Sequence, residues 1–311
     1  MELDEMALPW QGENCFHVAV VGTMSSGKST LIDALLGTDC MPSANMACTS
    51  KIISICQQGD MKKLIGVTVS DDGSFSQPVQ ATKDNIKEWN QDNHIRRIIL
   101  SGKSRRWGRS KPPFLVLHDT PGPNDSRHPE LAIEYIFAFL RQNPVNLILY
   151  VIDGLYNGTV DQKELFSKIR EKHKMANSLF VINKLDDVDT EKENICNKLE
   201  HTLQDLKAVG FLNPSVLPFS AKAARLCQLA LAKYPMTSSE QSFLDGAIKN
   251  FDDLTCFLPS TLKKHRRGRG LLALGRDAEE IELRVVMKKT GLIALRAIIQ
   301  KKINDTKEEA Q

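Results

Sequence analysis

Short apolar runs recur along the chain, and segments with a helical period separate the later ones. The runs are FHVAVVG, KIISICQ, KLIGVTV, PFLVLHD, NLILYVID, SLFVINK and SVLPFS, at residues 16–22, 51–57, 63–69, 113–119, 146–153, 178–184 and 215–220. Several are apolar on both faces, which is typical of strands buried in a mostly parallel sheet. The pattern predicts a three-layer α/β domain, with helices on both sides of the sheet and a ligand at the C-terminal strand ends.

Polar residues that start helices support this order of elements. Segment 190–209 has apolar positions at helical spacing, with Thr190 and Glu193 placed as a capping box at its start. Thr159 and Gln162 have the same spacing and predict the start of the preceding helix. Between the third and fourth runs, TKDNIKEWNQDN predicts one more helix.

The last part of the chain predicts two helices joined at Thr290–Gly291, where the apolar spacing is interrupted and Thr290 can cap the second helix. Before them, composition changes. Five basic residues lie within Lys103–Lys111, and five more lie within Lys263–Arg269. Because the whole chain has 41 basic and 38 acidic residues, charge alone does not indicate an anionic partner. Each basic stretch predicts either a solvated loop or a site for anionic lipid or nucleic acid.

Cysteine usage and hydropathy bound the environment of the protein. The seven cysteines form an odd set without a C-x-x-C pair or a Cys/His ligand spacing. We therefore expect buried thiols in a reducing compartment, with neither disulfides nor zinc. The N-terminal stretch lacks the pattern of a signal peptide, and no apolar run is long enough to span a bilayer. These features predict a cytoplasmic protein, peripheral to a membrane if the basic stretches bind lipid.

The stretch GTMSSGKS at residues 22–29 lies between the first apolar run and the helical segment TLIDALLG. The pattern G-x-x-x-x-G-K-[ST] in this context predicts a loop whose backbone N–H groups bind phosphate at a helix N-terminus. Lys28 would contact the β- and γ-phosphates, and Ser29 would ligate Mg²⁺. The residues expected to contact nucleotide here are Gly22, Thr23, Met24, Ser25, Ser26, Gly27, Lys28, Ser29 and Thr30.

The stretch HDTPG at 118–122 ends the strand FLVL and adds a carboxylate and a glycine amide at the same predicted edge of the sheet. Asp119 would hold Mg²⁺ through a water molecule, and the N–H of Gly122 would contact the γ-phosphate. The pattern D-x-x-G is common, but its place at a strand end after the phosphate loop makes it informative.

The base of the nucleotide is predicted by NKLD at 183–186, which follows another strand. A carboxylate accepts two hydrogen bonds, which matches the N1–H and N2–H₂ donors of guanine, whereas adenine has an acceptor at N1 and no amino group at C2. Asp186 therefore selects GTP over ATP. Asn183 would brace this loop against the phosphate loop and approach the N7/O6 edge, and the stem of Lys184 would lie over the base.

The stretch SAK follows the strand SVLPF and adds three residues to the predicted base site, Ser220, Ala221 and Lys222. The N–H of Ala221 would donate to guanine O6. Four motifs in this order at strand ends predict a P-loop domain that binds guanine nucleotides.

The phosphate loop GTMSSGKST, the extended HDTPGPND and the terminal TGLIALRAII resemble bacterial dynamin-like proteins of the dynamin superfamily. Thr49 follows Pro42 by the spacing found in the first switch of dynamins, which implies that Thr49 ligates Mg²⁺ and contacts the γ-phosphate. The resemblance covers residues 14–235 and, more loosely, the region of Thr290. We expect an N-terminal arm at 1–15, a GTP-binding domain at 16–250, and a basic segment with helices packing on that domain at 251–311.

The resemblance also implies GTP hydrolysis by pairing of two G domains across the nucleotide, without an external arginine finger. Ser25 matches the serine that helps dynamin hold a monovalent cation, K⁺ or Na⁺. Met24 departs from the family, since dynamin has there a glutamine that helps to position the attacking water. The expected catalytic residues are Ser25, Lys28, Thr49 and Gly122. We expect the G domain alone, as an excised G domain, as a truncated homologue, or as a subunit whose lever is supplied by another protein.

Two other functions remain open from the sequence. A GTP-regulated binding module with little turnover would dock on lipid or nucleic acid through the basic stretches, and Met24 and the expected lack of a stalk favour it. A small regulatory GTPase of the translation or tRNA-modification kind would need no self-association. Its phosphate loops usually carry Asn-x-Gly-Lys-Ser, from which SSGKS departs.

Overall fold

A single β-sheet forms the centre of the structure, which is a computed structural model. It describes residues 15–42, 51–57, 63–102, 113–122, 129–143, 145–155, 158–172, 177–188, 194–251, 254 and 278–309. Several predictions lie outside these residues, namely those for Thr49, for Lys103–Lys111 and Lys263–Arg269, for all but the last residue of the N-terminal arm, and for the cap at Thr190 and Glu193.

The sheet has nine strands: β1 (Cys15–Val21), β2 (Ile52–Gln57), β3 (Ile65–Ser70), β4 (Val79–Gln80), β5 (Ile95–Gly102), β6 (Phe114–Asp119), β7 (Leu147–Asp153), β8 (Asn177–Asn183) and β9 (Val216–Pro218). Their order is β4-β3-β5-β2-β6-β1-β7-β8-β9. The strands from β6 to β9 along this order are all parallel. The strand β2 runs antiparallel to β6 and parallel to β5, and β3 runs antiparallel to both β5 and β4. The predicted mostly parallel α/β sheet is therefore confirmed.

Nine α-helices flank the sheet in the described part of the chain: α1 (Lys28–Leu36), α2 (Lys83–Gln91), α3 (Pro129–Gln142), α4 (Val160–Lys172), α5 (Ile195–Ala208), α6 (Ala221–Leu231), α7 (Ser238–Asn250), α8 (Ala278–Lys289) and α9 (Leu292–Glu309). Alternate residues of each strand point to opposite faces of the sheet. Val18 and Val20 of β1 pack into a core with α1, α6, α8 and α9, whereas Ala19 and Val21 pack into a second core with α3, α4 and α5. The two cores define the three layers.

The seven predicted strands are all present, whereas β4 and β5 were not predicted. The strand β5 has an apolar stretch only from Ile98 onward, because Arg96 and Arg97 interrupt its first half. The helix predicted from TKDNIKEWNQDN is confirmed as α2, with a capping box formed by Thr82 and Asn85.

Of two predicted helix starts, that of α5 differs from the structure and that of α4 agrees with it. The helix predicted from residue 190 begins at Ile195, because the Asn194 side chain accepts a hydrogen bond from the Cys196 N–H at 2.7 Å and caps the helix there. At the start of α4, the Thr159 hydroxyl accepts from the Gln162 N–H at 3.4 Å. The reciprocal bond of a capping box is missing, since Gln162 Oε1 is buried without a partner in the described structure.

The C-terminal region forms two helices, as predicted, with the break at Thr290–Gly291. The Thr290 hydroxyl donates to the carbonyl of Met287 at 2.7 Å and accepts from the N–H of Leu292 at 3.4 Å. Both helices pack against the layer that contains α1 and α6.

Cysteine burial and helix hydropathy complete the description of the fold. Among the described cysteines, Cys40, Cys56 and Cys227 are buried, whereas Cys196 is exposed, contrary to the expectation of buried thiols. The cap at Asn194 starts α5 on the surface and leaves Cys196 in its exposed first turn. None of the described helices combines the length and the apolar character that a membrane span requires.

Candidate functional site

The phosphate loop connects β1 to α1 at the C-terminal edge of the sheet. Lys28, the first residue of α1, is 6% exposed, and its Nζ donates to the carbonyl oxygens of Gly22 at 3.0 Å and Thr23 at 2.9 Å. The lysine therefore folds back over the loop that precedes it. Backbone N–H groups at the start of α1 and the positive end of its dipole face the same space, which is the arrangement that binds phosphate.

A hydroxyl and a carboxylate meet beside this loop. Ser29 Oγ donates to Asp119 Oδ2 at 2.7 Å, and Asp119 is fully buried at the end of β6, the neighbour of β1. Hard oxygen ligands of this kind suit Mg²⁺, which usually takes one or two protein ligands and completes its shell with phosphate and water oxygens. No group of three His, Cys, Asp or Glu side chains forms a metal cage within the described residues. The donor set therefore fits a Mg²⁺ ion bound together with a nucleotide.

The D-x-x-G motif contacts the phosphate loop directly. A Cβ atom at Gly122 would lie 2.7 Å from the backbone nitrogen of Met24 and 2.8 Å from its Cα. A side chain at position 122 would thus displace the loop, so glycine permits this close approach. Thr120 Oγ1 donates to the carbonyl of Val20 at 2.8 Å and fixes the segment against β1. The Met24 side chain is 40% exposed beside this contact.

Asn183 connects the base loop to both neighbouring motifs. Its Nδ2 donates to the carbonyl of Ser26 at 2.9 Å, and its Oδ1 accepts from the N–H of Ala221 at 2.8 Å. The asparagine therefore joins the NKLD, phosphate and SAK segments. Since the Ala221 N–H already donates to Asn183, the expected contact with guanine O6 would share this donor.

Lys184 lies in the left-handed region with a φ of 63°. Its Nζ donates to Asp153 Oδ2 at 2.7 Å, and Asp153 Oδ1 accepts from the N–H of Leu155 at 2.9 Å. Asp153 is a residue of the site that the sequence reading missed. The sequence feature that could have identified Asp153 is its position at the C-terminal end of β7, the strand between β1 and β8.

Asp186 has an unsatisfied carboxylate at the base end of the site, and Ser26 Oγ in the phosphate loop is a further buried atom without a hydrogen-bond partner in the described structure. Both carboxylate oxygens are buried, and neither has a hydrogen bond of good geometry in the described structure. Burial raises the pKa of this carboxyl group, and the nearby Ser220 side chain lowers the pKa only in part. A buried carboxylate without hydrogen bonds of good geometry is unfavourable, and a ligand that supplies two N–H donors would satisfy it.

The SAK segment completes the base end. Ser220 caps α6 by accepting from the Ala223 N–H at 3.1 Å. Lys222 is exposed, and its Nζ lies 3.9 Å from the ring centroid of Phe243 on α7, at cation–π distance. The structure thus places together all the predicted site residues that it describes, from the phosphate loop to Lys222, and Thr49 alone lies outside the described residues.

This geometry defines a P-loop nucleotide-binding domain with guanine-type recognition at one end. The sequence pattern of the Dynamin family matches residues 18–185, more than half of the chain. The chain therefore belongs to the dynamin family. No curated protein sequence matches it.

Two solved structures share the fold, both from work on an oligomerised bacterial dynamin pair described as sensing and tethering membranes. Their TM-scores are 0.52 and 0.53, with sequence identities of 15% and 16%. They match 94% and 99% of this chain, whereas the match spans 42% and 53% of their own lengths. The chain therefore has the fold of a dynamin-family G domain, and this fold supports GTP binding.

Proposed function

We propose that this chain binds GTP with Mg²⁺ and hydrolyses it to GDP and phosphate, and that pairing of two G domains raises its turnover. The observation that supports guanine recognition is Asp186, whose two buried oxygens lack partners next to a phosphate loop. Asn183 fixes the distance between these two parts, because it bonds to the phosphate loop and to the base loop.

Each group has a role in this proposal. The α1 amides and Lys28 hold the phosphates, and Ser29, Asp119 and Thr49 hold Mg²⁺. Mg²⁺, when bound, neutralises charge that develops on the phosphate oxygens. The Gly122 N–H contacts the γ-phosphate and so links that phosphate to the phosphate loop.

The proposal extends to partners. The membrane-tethering, oligomerised relatives support pairing with a second copy of this chain across the nucleotide, with Ser25 helping to hold K⁺ or Na⁺ at that interface. The division into an arm at 1–15, a G domain at 16–250 and a C-terminal region at 251–311 remains part of the proposal. The proposal also includes a cytoplasmic location peripheral to a membrane and a separate stalk or lever. It further includes anionic lipid or nucleic acid as a ligand of the two basic stretches.

One observation favours a second function, a GTP-regulated binding module with little turnover. The backbone of Met24 lies against Gly122, near which the γ-phosphate and the attacking water are expected, and this methionine is partly exposed. A thioether is a weak acceptor and no donor, so it cannot orient that water. Water positioning must then come from backbone groups or from a paired copy.

The test is GTP turnover per molecule as a function of protein concentration, once in K⁺ and once in Na⁺, at constant Mg²⁺. Turnover that rises with concentration supports pairing, and a larger rise in K⁺ or in Na⁺ supports the monovalent cation. A flat, near-zero rate with GTP bound favours the second function. Lys28→Ala is the control, because removing this buried charge should weaken GTP binding by about 100-fold or more. Unchanged binding in Lys28→Ala would refute the assignment of the phosphate loop.

A further inference from the structure

The junction between α8 and α9 touches the base end of the nucleotide site. The N–H of Ser220 donates to the carbonyl oxygen of Thr290 at 3.1 Å. Ser220 is the first residue of the SAK segment and caps α6, and the next N–H, of Ala221, bonds to Asn183. A carbonyl of the C-terminal helices therefore fixes the backbone of the loop that contacts guanine in the proposed function.

Gly291 allows the junction to come this close. It has a φ of +88°, which residues with side chains rarely adopt. A Cβ atom at this position would lie 2.5 Å from the carbonyl oxygen of Pro218 and 3.1 Å from Cδ2 of Phe219. Any side chain at position 291 would therefore push the junction away from β9 and from the SAK segment.

Arg296 ties the same helix to the phosphate end. Its guanidinium is 8% exposed and donates to the carbonyls of Ala34 at 3.1 Å and Leu35 at 2.6 Å, which end α1. It also donates to Gln228 Oε1 on α6 at 2.8 Å. Arg296 of α9 therefore contacts α1, the helix that begins at Lys28 and is expected to bind phosphate. The junction that precedes α9 contacts the base loop.

Apolar packing holds α9 in this place. Five of its side chains are at most 1% exposed and belong to the core shared with α1 and α6, namely Leu292, Ala294, Leu295, Ile299 and Ile303. Removing these apolar side chains from water favours the docked position of the helix. The contacts at Ser220 and at α1 are therefore made by a well-anchored element.

We propose that Thr290 and Gly291 are positioning residues of the guanine site, an inference that rests on the proposed function. Docking of the α8–α9 junction holds the SAK backbone where the base binds. By thermodynamic linkage, a bound guanine nucleotide stabilises the docked junction by the same factor by which docking strengthens nucleotide binding. A partner that pulls the C-terminal helices away would thus speed the release of nucleotide.

Gly291→Ala tests this positioning role. The dissociation rate of GDP should rise by about 5- to 150-fold, the usual range of coupling between sites. The matched control is Ile303→Ala, which removes equally buried packing from α9 about 18 Å along the helix from Gly291. Equal GDP dissociation rates in Gly291→Ala and Ile303→Ala would overturn the proposal.

Hydrogen exchange of the unmodified chain gives a second test if Gly291→Ala does not fold. Saturating GDP should slow exchange at the Ser220 N–H and at the first turn of α9. Unchanged exchange there with GDP bound would overturn the positioning role alone. Equilibrium dialysis of GDP on the same samples separates the two proposals, because a chain that binds no GDP would refute the proposed function and the inference with it.

Discussion

The phosphate end and the base end of the site differ in how they meet their own hydrogen-bonding needs. At the phosphate end, Lys28 bonds to loop carbonyls, and Ser29 bonds to Asp119. At the base end, both oxygens of Asp186 are buried and lack partners in the described structure. At the phosphate end Ser26 Oγ is a single buried hydroxyl without a partner, whereas at the base end a whole carboxylate lacks partners, so the base end gains most from a ligand. Selectivity for the ligand is expected to reside where the protein leaves its own groups unsatisfied.

The largest effect is expected from reversing the hydrogen-bonding pattern at the base end. Asp186→Asn replaces one acceptor by an NH₂ donor, which suits the C2 carbonyl of xanthine and opposes the amino group of guanine. The ratio of GTP to XTP affinity should fall by about a thousandfold or more. Competition binding with both nucleotides measures this ratio.

Asp187→Asn is the matched control, because it removes the same charge from the exposed neighbour of Asp186. It should keep the preference for GTP. An Asp186→Asn chain that still prefers GTP as strongly as the unmodified chain would mean that the base end does not read guanine through this carboxylate.

A smaller effect is expected at the phosphate end. Ser29→Ala removes the hydroxyl that bonds to Asp119, so the Mg²⁺ concentration for half-maximal turnover should rise by about 10- to 100-fold. The preference for GTP over XTP should not change, because the base end is untouched. Mg²⁺ titration of turnover measures the effect, with Ser238→Ala, at an exposed serine in α7, as control. A change in the preference for GTP over XTP in Ser29→Ala would contradict the separation of phosphate binding from base recognition.

The smallest effect is expected from pH. Burial raises the pKa of Asp186, so this carboxylate takes up a proton at a higher pH than an ordinary aspartate does. Guanine needs the ionised form, and its affinity is therefore lost as the pH falls through the raised pKa. IDP carries the same phosphates but lacks the 2-amino group. The ratio of GDP to IDP affinity should therefore fall as the pH is lowered, and it should do so at a higher pH than for an ordinary aspartate. A ratio that stays constant until the pH range in which an ordinary aspartate titrates would contradict a raised pKa.

The motifs at the strand ends could be predicted because their signal is local. Asp119 and Asn183 end apolar strands and Asp186 lies three residues after Asn183, and parallel strands bring such ends to one edge of the sheet. The strand β5 could not be found in this way. Its Arg97 is accommodated by hydrogen bonds to Ser54 and Asn143, which lie far away in sequence.

The orientation of strands and the contacts between distant segments could not be predicted from the sequence either. An apolar run such as that of β2 reads the same in either direction, so its antiparallel pairing with β6 left no local mark. The break at Thr290–Gly291 was visible, but its contact with Pro218 depends on how two distant segments fold together. The burial of Asp186 without partners likewise became apparent only from the packing around it.

The bond from Arg296 to the end of α1 has a consequence for the order of events during synthesis. The carbonyls of Ala34 and Leu35 accept hydrogen bonds from Arg296, which lies 262 and 261 residues later in the chain. The helix α1 therefore emerges from the ribosome long before the carbonyls at its C-terminal end can bond to Arg296. Contacts of such sequence separation form late and slow folding. A nascent chain should become able to hold nucleotide tightly only once α9 has left the ribosome and docked.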